Sequence, residues 1–122
     1  MPRKPLDFDD VRALAGDLPG VEFGSGRGAP YLKVNGKLLT CPALHDSAEP
    51  HSLVLKIARE QRAKLMAADP DIYYVTEHYE PYPTVLVRLA KIPRKSLRDV
   101  LSLAWQHAYG DTEKQTRKRK AR

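Results

Sequence analysis

A hairpin turn at Asn35-Gly36 is the strongest local determinant of this fold. Both residues tolerate a positive φ, which a two-residue type I′ turn requires. Alternating extended segments flank the turn, YLKV before it and KLLT after it. The turn sets the register, so we expect Leu32 opposite Leu39 and Tyr31 opposite Thr40. Three residues are then expected to face the core: Leu32, Val34 and Leu39. Four are expected to face the other side of the sheet: Tyr31, Lys33, Leu38 and Thr40.

Helices and strands alternate through the rest of the chain. Asp7 is expected to cap an amphipathic helix that runs to about Leu18. The segment GSGRGAP at 24–30 lacks the spacing of a phosphate-binding loop, so we interpret it as a turn between two strands. Further strands are predicted at 52–57, 72–75 and 84–89, and further helices at 59–67 and from Pro93 to about Tyr109, where Gly110 ends the last one.

This order predicts a single α+β domain over residues 6–110. Its core is one mainly antiparallel sheet, with the N- and C-terminal helices packed on one face. Residues 1–5 are expected to be a flexible N-terminus, and residues 111–122 a disordered basic tail.

The net charge of +6 is distributed unevenly. Six of the 21 Lys and Arg residues lie in 114–122, which leaves 15 basic residues against all 15 acidic residues in 1–113. A run of like charges repels itself and buries little apolar surface, hence the expected disorder. Such a tail binds polyanions through counterion release without reading sequence.

Several function classes lack their sequence signals. There is no long apolar run for a membrane span and no secretory leader pattern, and a single cysteine, Cys41, fits a reducing cytoplasm. No nucleophile elbow, Cys-His signature or nucleotide loop is found, so we expect neither catalysis nor a cofactor. The four histidines lack metal-binding spacing. Five acidic residues lie on or near the first helix: Asp7, Asp9, Asp10, Asp17 and Glu22. Asp7 suits a cap, and Asp9 and Asp10 suit the helix dipole, so we expect no metal.

The segment ADPDIYYVTEHYEPYPTVLVRLAKIPRKSLRDVLSLAW at 68–105, together with the hairpin at 31–40, resembles the MmcQ/YjbR family of small bacterial proteins. The resemblance covers roughly residues 6–109. It implies a frataxin-like fold and a DNA-binding role. His78 and Tyr79 match positions of a family motif, but Glu77 and Glu80 flank them here, and carboxylates repel phosphate.

The resulting hypothesis is a non-catalytic, cytoplasmic, monomeric protein that binds DNA or another polyanion electrostatically and does not bind membranes. The expected contacts are an aromatic and three cations on one sheet face, and the tail: Tyr31, Lys33, Lys56 and Arg88, then Lys114, Arg117, Lys118, Arg119, Lys120 and Arg122. One alternative is a protein-interaction or small-ligand module that uses the sheet face and the tyrosine-rich loop at 73–82. A further alternative is a frataxin-like metal binder.

Overall fold

The structure is a computed structural model that describes residues 6–26 and 28–120, with side chains as far as Tyr109. Three helices and six strands follow along the chain: α1 Phe8–Ala15, β1 Val21–Gly26, β2 Ala29–Val34, β3 Lys37–Pro42, β4 Ser52–Lys56, α2 Arg59–Ala68, β5 Tyr73–Tyr74, β6 Thr84–Arg88 and α3 Arg94–Lys120. All three predicted helices are present, and so are the strands on both sides of each predicted turn.

The six strands form one open antiparallel sheet in the order β1-β2-β3-β4-β6-β5. The inward residues of the central strands form the core with α1 and α3, and Leu65 and Met66 of α2 pack against the same cluster. The core therefore lies between one face of the sheet and the helices. This arrangement confirms the predicted α+β class.

A capping box begins α1 as the sequence predicts. The Asp7 carboxylate accepts a hydrogen bond from the Asp10 N–H at 3.1 Å, and the Asp10 carboxylate accepts one from the Asp7 N–H at 3.0 Å. Asp10 also pairs with Arg94 at 2.6 Å, which joins the first turns of α1 and α3. The helix ends at Ala15 with Gly16 as its C-cap, earlier than the predicted Leu18.

The hairpin turn has the predicted geometry, with φ of 51° at Asn35 and 82° at Gly36. The predicted register is wrong beyond Leu38, because a β-bulge shifts the pairing so that Leu32 lies opposite Thr40. One extra residue on β3 brings Leu39 and Thr40 to the same face, and both are fully buried. The Thr40 hydroxyl is accommodated there by donating to the Val54 carbonyl at 2.6 Å.

Helix α3 continues through Gly110 to Lys120, which corrects the predicted end at Gly110. One glycine inside a helix costs only about 1 kcal/mol. The following residues are mostly good helix formers, and Glu113 and Arg117 have the i, i+4 spacing that favours a helix. Residues 1–5 and 121–122, and the predictions made for them, lie outside the described residues.

Candidate functional site

The sheet face turned away from the helices, the outer face, carries all four candidate residues of the body. Strand pairing places Lys33 beside Leu38, Cys41 beside Val54 and Val54 beside Leu86. Ser52 lies beside Arg88, and Lys56 beside Thr84. Tyr31 shares the face of Lys33 because side chains two apart on a strand point the same way. The structure therefore places Tyr31, Lys33, Lys56 and Arg88 on one face but not in one cluster.

Arg88 and Lys56 lie at opposite ends of the β4–β6 ladder. Their ladder partners, Ser52 and Thr84, show that four residues separate them along the strands, or roughly 13 Å. Between them Val54 and Leu86 are buried, at 7% and 0% exposure, although neither belongs to the core cluster. This part of the outer face is therefore covered.

The segments 43–51 and 75–83 contact each other beside the outer face. The His45 and His78 rings stack with centroids 3.5 Å apart, and Tyr79 meets His78 edge-on at 4.8 Å. The Tyr79 hydroxyl accepts from the His45 N–H at 3.3 Å, and Ser47 Oγ lies 2.8 Å from Thr76 Oγ1. His78 and Tyr79, the positions that match the family motif, therefore join two loops.

A serine–histidine contact in this cluster is local. His45 Nδ1 accepts from the Ser47 N–H at 3.1 Å and lies 2.8 Å from Ser47 Oγ. The bond from the Ser47 N–H holds the His45 ring in a local turn. The Ser47 hydroxyl also contacts the Thr76 hydroxyl. We assign this contact to loop structure.

Arg88 is fully engaged inside the protein. Its guanidinium donates to both Glu49 carboxylate oxygens and to the carbonyls of Pro70 and Asp71, and it lies 4.1 Å over the Tyr74 ring. A phosphate would have to displace a carboxylate that already makes a two-point pair. The geometry therefore favours a structural role for Arg88.

Tyr31 and Lys33 form an open aromatic–cation pair on β2. Lys33 Nζ lies 4.9 Å from the Tyr31 ring centroid, and both residues are partly exposed. The ring lies over Gly24 of β1, where an added Cβ would come within 2.5 Å of it. Glu22 is the cross-strand partner of Lys33 and brings a negative charge to the same place.

Lys56 lies at the edge of a hollow of about 380 Å³ at the end of the sheet. The hollow is bounded by β3, β4 and the last described side chains of α3: Lys37, Leu38, Lys56, Pro83, His107 and Ala108. Burial raises the pKa of the Cys41 thiol, and the positive charge of Lys56 partly offsets that rise. Lys37, Lys56 and His107 are basic, and none of the described side chains that line the hollow is acidic.

Arg62 is a residue whose role the sequence did not reveal. It is 8% exposed, and its Nη1 donates to the carbonyls of Glu80, Tyr82 and Thr84 at 3.2, 3.1 and 3.1 Å. It therefore holds the segment before β6 against α2. Arg62 lies in a polar stretch of α2, and no motif or residue spacing in the sequence singles it out. Only its contacts with the loop before β6 in the folded structure identify its role.

The tail candidates Lys114, Arg117, Lys118, Arg119 and Lys120 lie on the backbone of α3, but their side chains fall outside the described residues, as does all of Arg122. Among the described side chains, which end at Tyr109, no three or more His, Cys, Asp or Glu residues come together as a metal site. In the same part of the chain, no helix has the length and apolar character needed to cross a bilayer.

Comparisons with known proteins reveal short matches to relatives and a fold shared with a solved structure. No family model matches the chain. Uncharacterized protein Rv2570 of Mycobacterium tuberculosis and uncharacterized protein Mb2600 of Mycobacterium bovis are each 44% identical to it over 41 residues. The match covers 34% of this chain and about a third, 32%, of the length of each relative.

The crystal structure of protein DR2400 from Deinococcus radiodurans, a DUF419 domain, is similar to this chain with a TM-score of 0.66. The match covers 86% of this chain and 80% of that one at 20% sequence identity. Identity this low establishes a shared fold and nothing further. DUF419 is the MmcQ/YjbR type of domain, so the structural neighbour is of the kind that the sequence resembles.

Proposed function

We propose that the protein is a non-catalytic member of the MmcQ/YjbR type that binds nucleic acid through charge, mainly with the C-terminal part of α3. The observation that carries the proposal is the position of the excess charge. Residues 1–113 are balanced, and five of the six additional basic residues lie within 114–120 of α3, a helix anchored in the core at its N-terminal part. A helix presents such charges on a stiffer support than a disordered tail would.

The packed body supports this proposal at the point where α3 leaves the core. The hollow lined by Lys37, Lys56 and His107 lies beside Ala108, the last buried residue among the described side chains of α3. A phosphate backbone that follows the basic part of α3 toward the body would meet these groups next. Lys33 with Tyr31 is a secondary contact, and we leave Arg88 out because Glu49 neutralises it.

The alternative of a tyrosine-rich partner surface has less support. The ring of Tyr73 is buried, and the hydroxyls of Tyr74 and Tyr79 bind the segment 43–51. Tyr82 alone among the tyrosines of this loop is largely exposed, at 54%. Most of the aromatic surface that a partner would use is therefore occupied by the protein itself.

The test is fluorescence anisotropy of labelled duplex DNA over a salt series. We expect a full-length variant in which the six basic residues of 114–122 become glutamine to lose most affinity. The slope of log K against log salt should decrease by about 5, because each neutralised phosphate contributes about 0.9. A control variant replaces exposed cations elsewhere, Lys64, Lys95 and Arg98, with glutamine. Unchanged binding by the tail variant, or equal losses in both, would overturn the proposal.

A further inference from the structure

Strand β1 ends the sheet with an open edge. Val21–Gly26 pairs with β2 on one side only, and β2 is its single neighbour in the strand order. Phe23, in the middle of the strand, is 50% exposed. The other edge strand, β5, has only two residues. The longest unpaired backbone edge in the described sheet therefore belongs to β1.

The turn between β1 and β2 fixes which backbone groups of β1 point outward. In a two-residue hairpin the residues that flank the turn form a hydrogen-bonded pair, and such pairs then alternate along the ladder. Gly26 and Ala29 flank the first turn, so Gly26, Gly24 and Glu22 bond to β2. The N–H and C=O groups of Val21, Phe23 and Ser25 consequently point to the open edge. Within the described residues these three make no hydrogen bond beyond the strand pairing.

Within the part of the chain that the structure describes, β1 lacks the usual protections of an edge strand. Edge strands are commonly blocked by lysine, proline, a bulge or a covering element. The sequence of β1, VEFGSG, has one charge and no proline, and its pairing with β2 has no irregularity. Helix α1 lies beside the strand, where Arg12 covers one face of the Phe23 ring at 4.7 Å, and it leaves the edge exposed.

The edge is complementary to itself. Two antiparallel copies related by a two-fold axis through Phe23 place Phe23 opposite Phe23, Val21 opposite Ser25 and Glu22 opposite Gly24. The two carboxylates therefore avoid each other, and each faces a glycine. A hollow of about 350 Å³ beside Phe23 is lined by Asp9, Arg12 and Ala13, so each copy brings one acid and one base to the seam.

We infer that β1 is the docking site for β1 of a second copy of this chain, in an antiparallel pairing centred on Phe23 that joins two sheets into one. The occupant is a second copy because the same register satisfies the outward backbone groups, separates the carboxylates and places the hollow lined by Asp9 and Arg12 of each copy beside the seam. This inference departs from the monomer expected from sequence, and it does not depend on nucleic-acid binding.

Sedimentation velocity of the full chain from micromolar to millimolar concentration is the first test. The weight-average mass should rise from 13.8 kDa toward twice that value. Phe23→Lys places two ammonium groups opposite each other and should weaken association at least about tenfold. Leu44→Lys is the matched control, because Leu44 is a large apolar residue that is 62% exposed on a distant loop. Circular dichroism verifies that both variants are folded.

Disulfide trapping tests the register in a Cys41→Ser background. Paired residues have Cα atoms about 5.5 Å apart, within disulfide reach, so Phe23→Cys should form a covalent dimer on oxidation. Glu22→Cys should form far less, because its copies lie diagonally, roughly 7–8 Å apart. A wild-type chain that stays monomeric at millimolar concentration, association retained by Phe23→Lys, or equal trapping at the two positions would overturn the inference. A monomer that captures a foreign extended peptide at this edge would do so as well.

Discussion

Arg88 and Glu49 form a two-point ion pair, with Nε 3.0 Å from Oε1 and Nη2 2.6 Å from Oε2. The same guanidinium donates at 3.1 Å to the carbonyls of Pro70 and Asp71. One cation therefore connects the segment 43–51 to the turn between α2 and β5. The hydrogen bonds from Arg88 lower the pKa of the Glu49 carboxyl, and the bonds to Glu49 raise the pKa of the Arg88 guanidinium.

Replacing Glu49 with glutamine should reduce the loss of stability in acid. A carboxyl whose pKa is lowered on folding stabilises the protein above its unfolded pKa, here the ordinary 4.5, and loses this contribution as the pH falls through the lower folded pKa. Urea unfolding at pH 7, 5 and 3 measures the effect. Asp10, whose pKa is also lowered, should still contribute to the loss of stability in acid in this variant. Glu77→Gln is the control, and a pH profile of Glu49→Gln identical to the wild type would contradict the prediction.

Arg62→Ala should lower the free energy of unfolding by about 3 kcal/mol, because the carbonyls of Glu80, Tyr82 and Thr84 lose a charged donor in a largely buried place. Arg62→Lys should recover part of the loss, since one ammonium cannot reproduce the guanidinium geometry. Chemical denaturation measures both. Lys64→Ala, two positions along the same helix and exposed, should change stability by less than about 0.5 kcal/mol. Equal effects at the two positions would show that Arg62 has no special role.

Local patterns were sufficient to predict most of the fold. The Asn35-Gly36 turn, the Asp7 cap and the alternation in 84–89 are determined by residues within a few positions of one another, and the structure has all three. The bulge at Leu39 could not be predicted in this way. It depends on the pairing of Thr40 with Leu55 across the next strand and on a carbonyl, that of Val54, which accepts the buried hydroxyl.

The candidate site was predicted less completely than the fold. Strand alternation correctly placed Tyr31, Lys33, Lys56 and Arg88 on one face. Alternation does not reveal partners that arrive from distant loops, such as Glu49 at Arg88 or Glu80 at Arg62. These contacts decide which cations are available to a ligand, and they require the folded arrangement of segments far apart in sequence.

Lys56→Met should slow the reaction of Cys41 with a thiol reagent at neutral pH. Burial raises the pKa of Cys41 and the charge of Lys56 opposes this rise, so removing the charge should raise the pKa further and reduce the thiolate fraction. The rate of disulfide exchange against pH gives the midpoint, which should shift to higher pH. Lys64→Met controls for general loss of positive charge. A midpoint that is unchanged or shifts downward would show that Lys56 does not act on the thiol.

Gly24→Ala should destabilise the protein by about 1–3 kcal/mol, because the new Cβ would come within 2.5 Å of the Tyr31 ring, which must then move away from β1. Gly26→Ala is the matched control, since its Cβ would meet Tyr31 at an ordinary 3.6 Å. In a Tyr31→Ala background the effect of Gly24→Ala should largely vanish, and a double-mutant cycle by chemical denaturation measures this coupling. Equal losses with and without the tyrosine ring would mean that Gly24 is required for its backbone and not for the space it leaves.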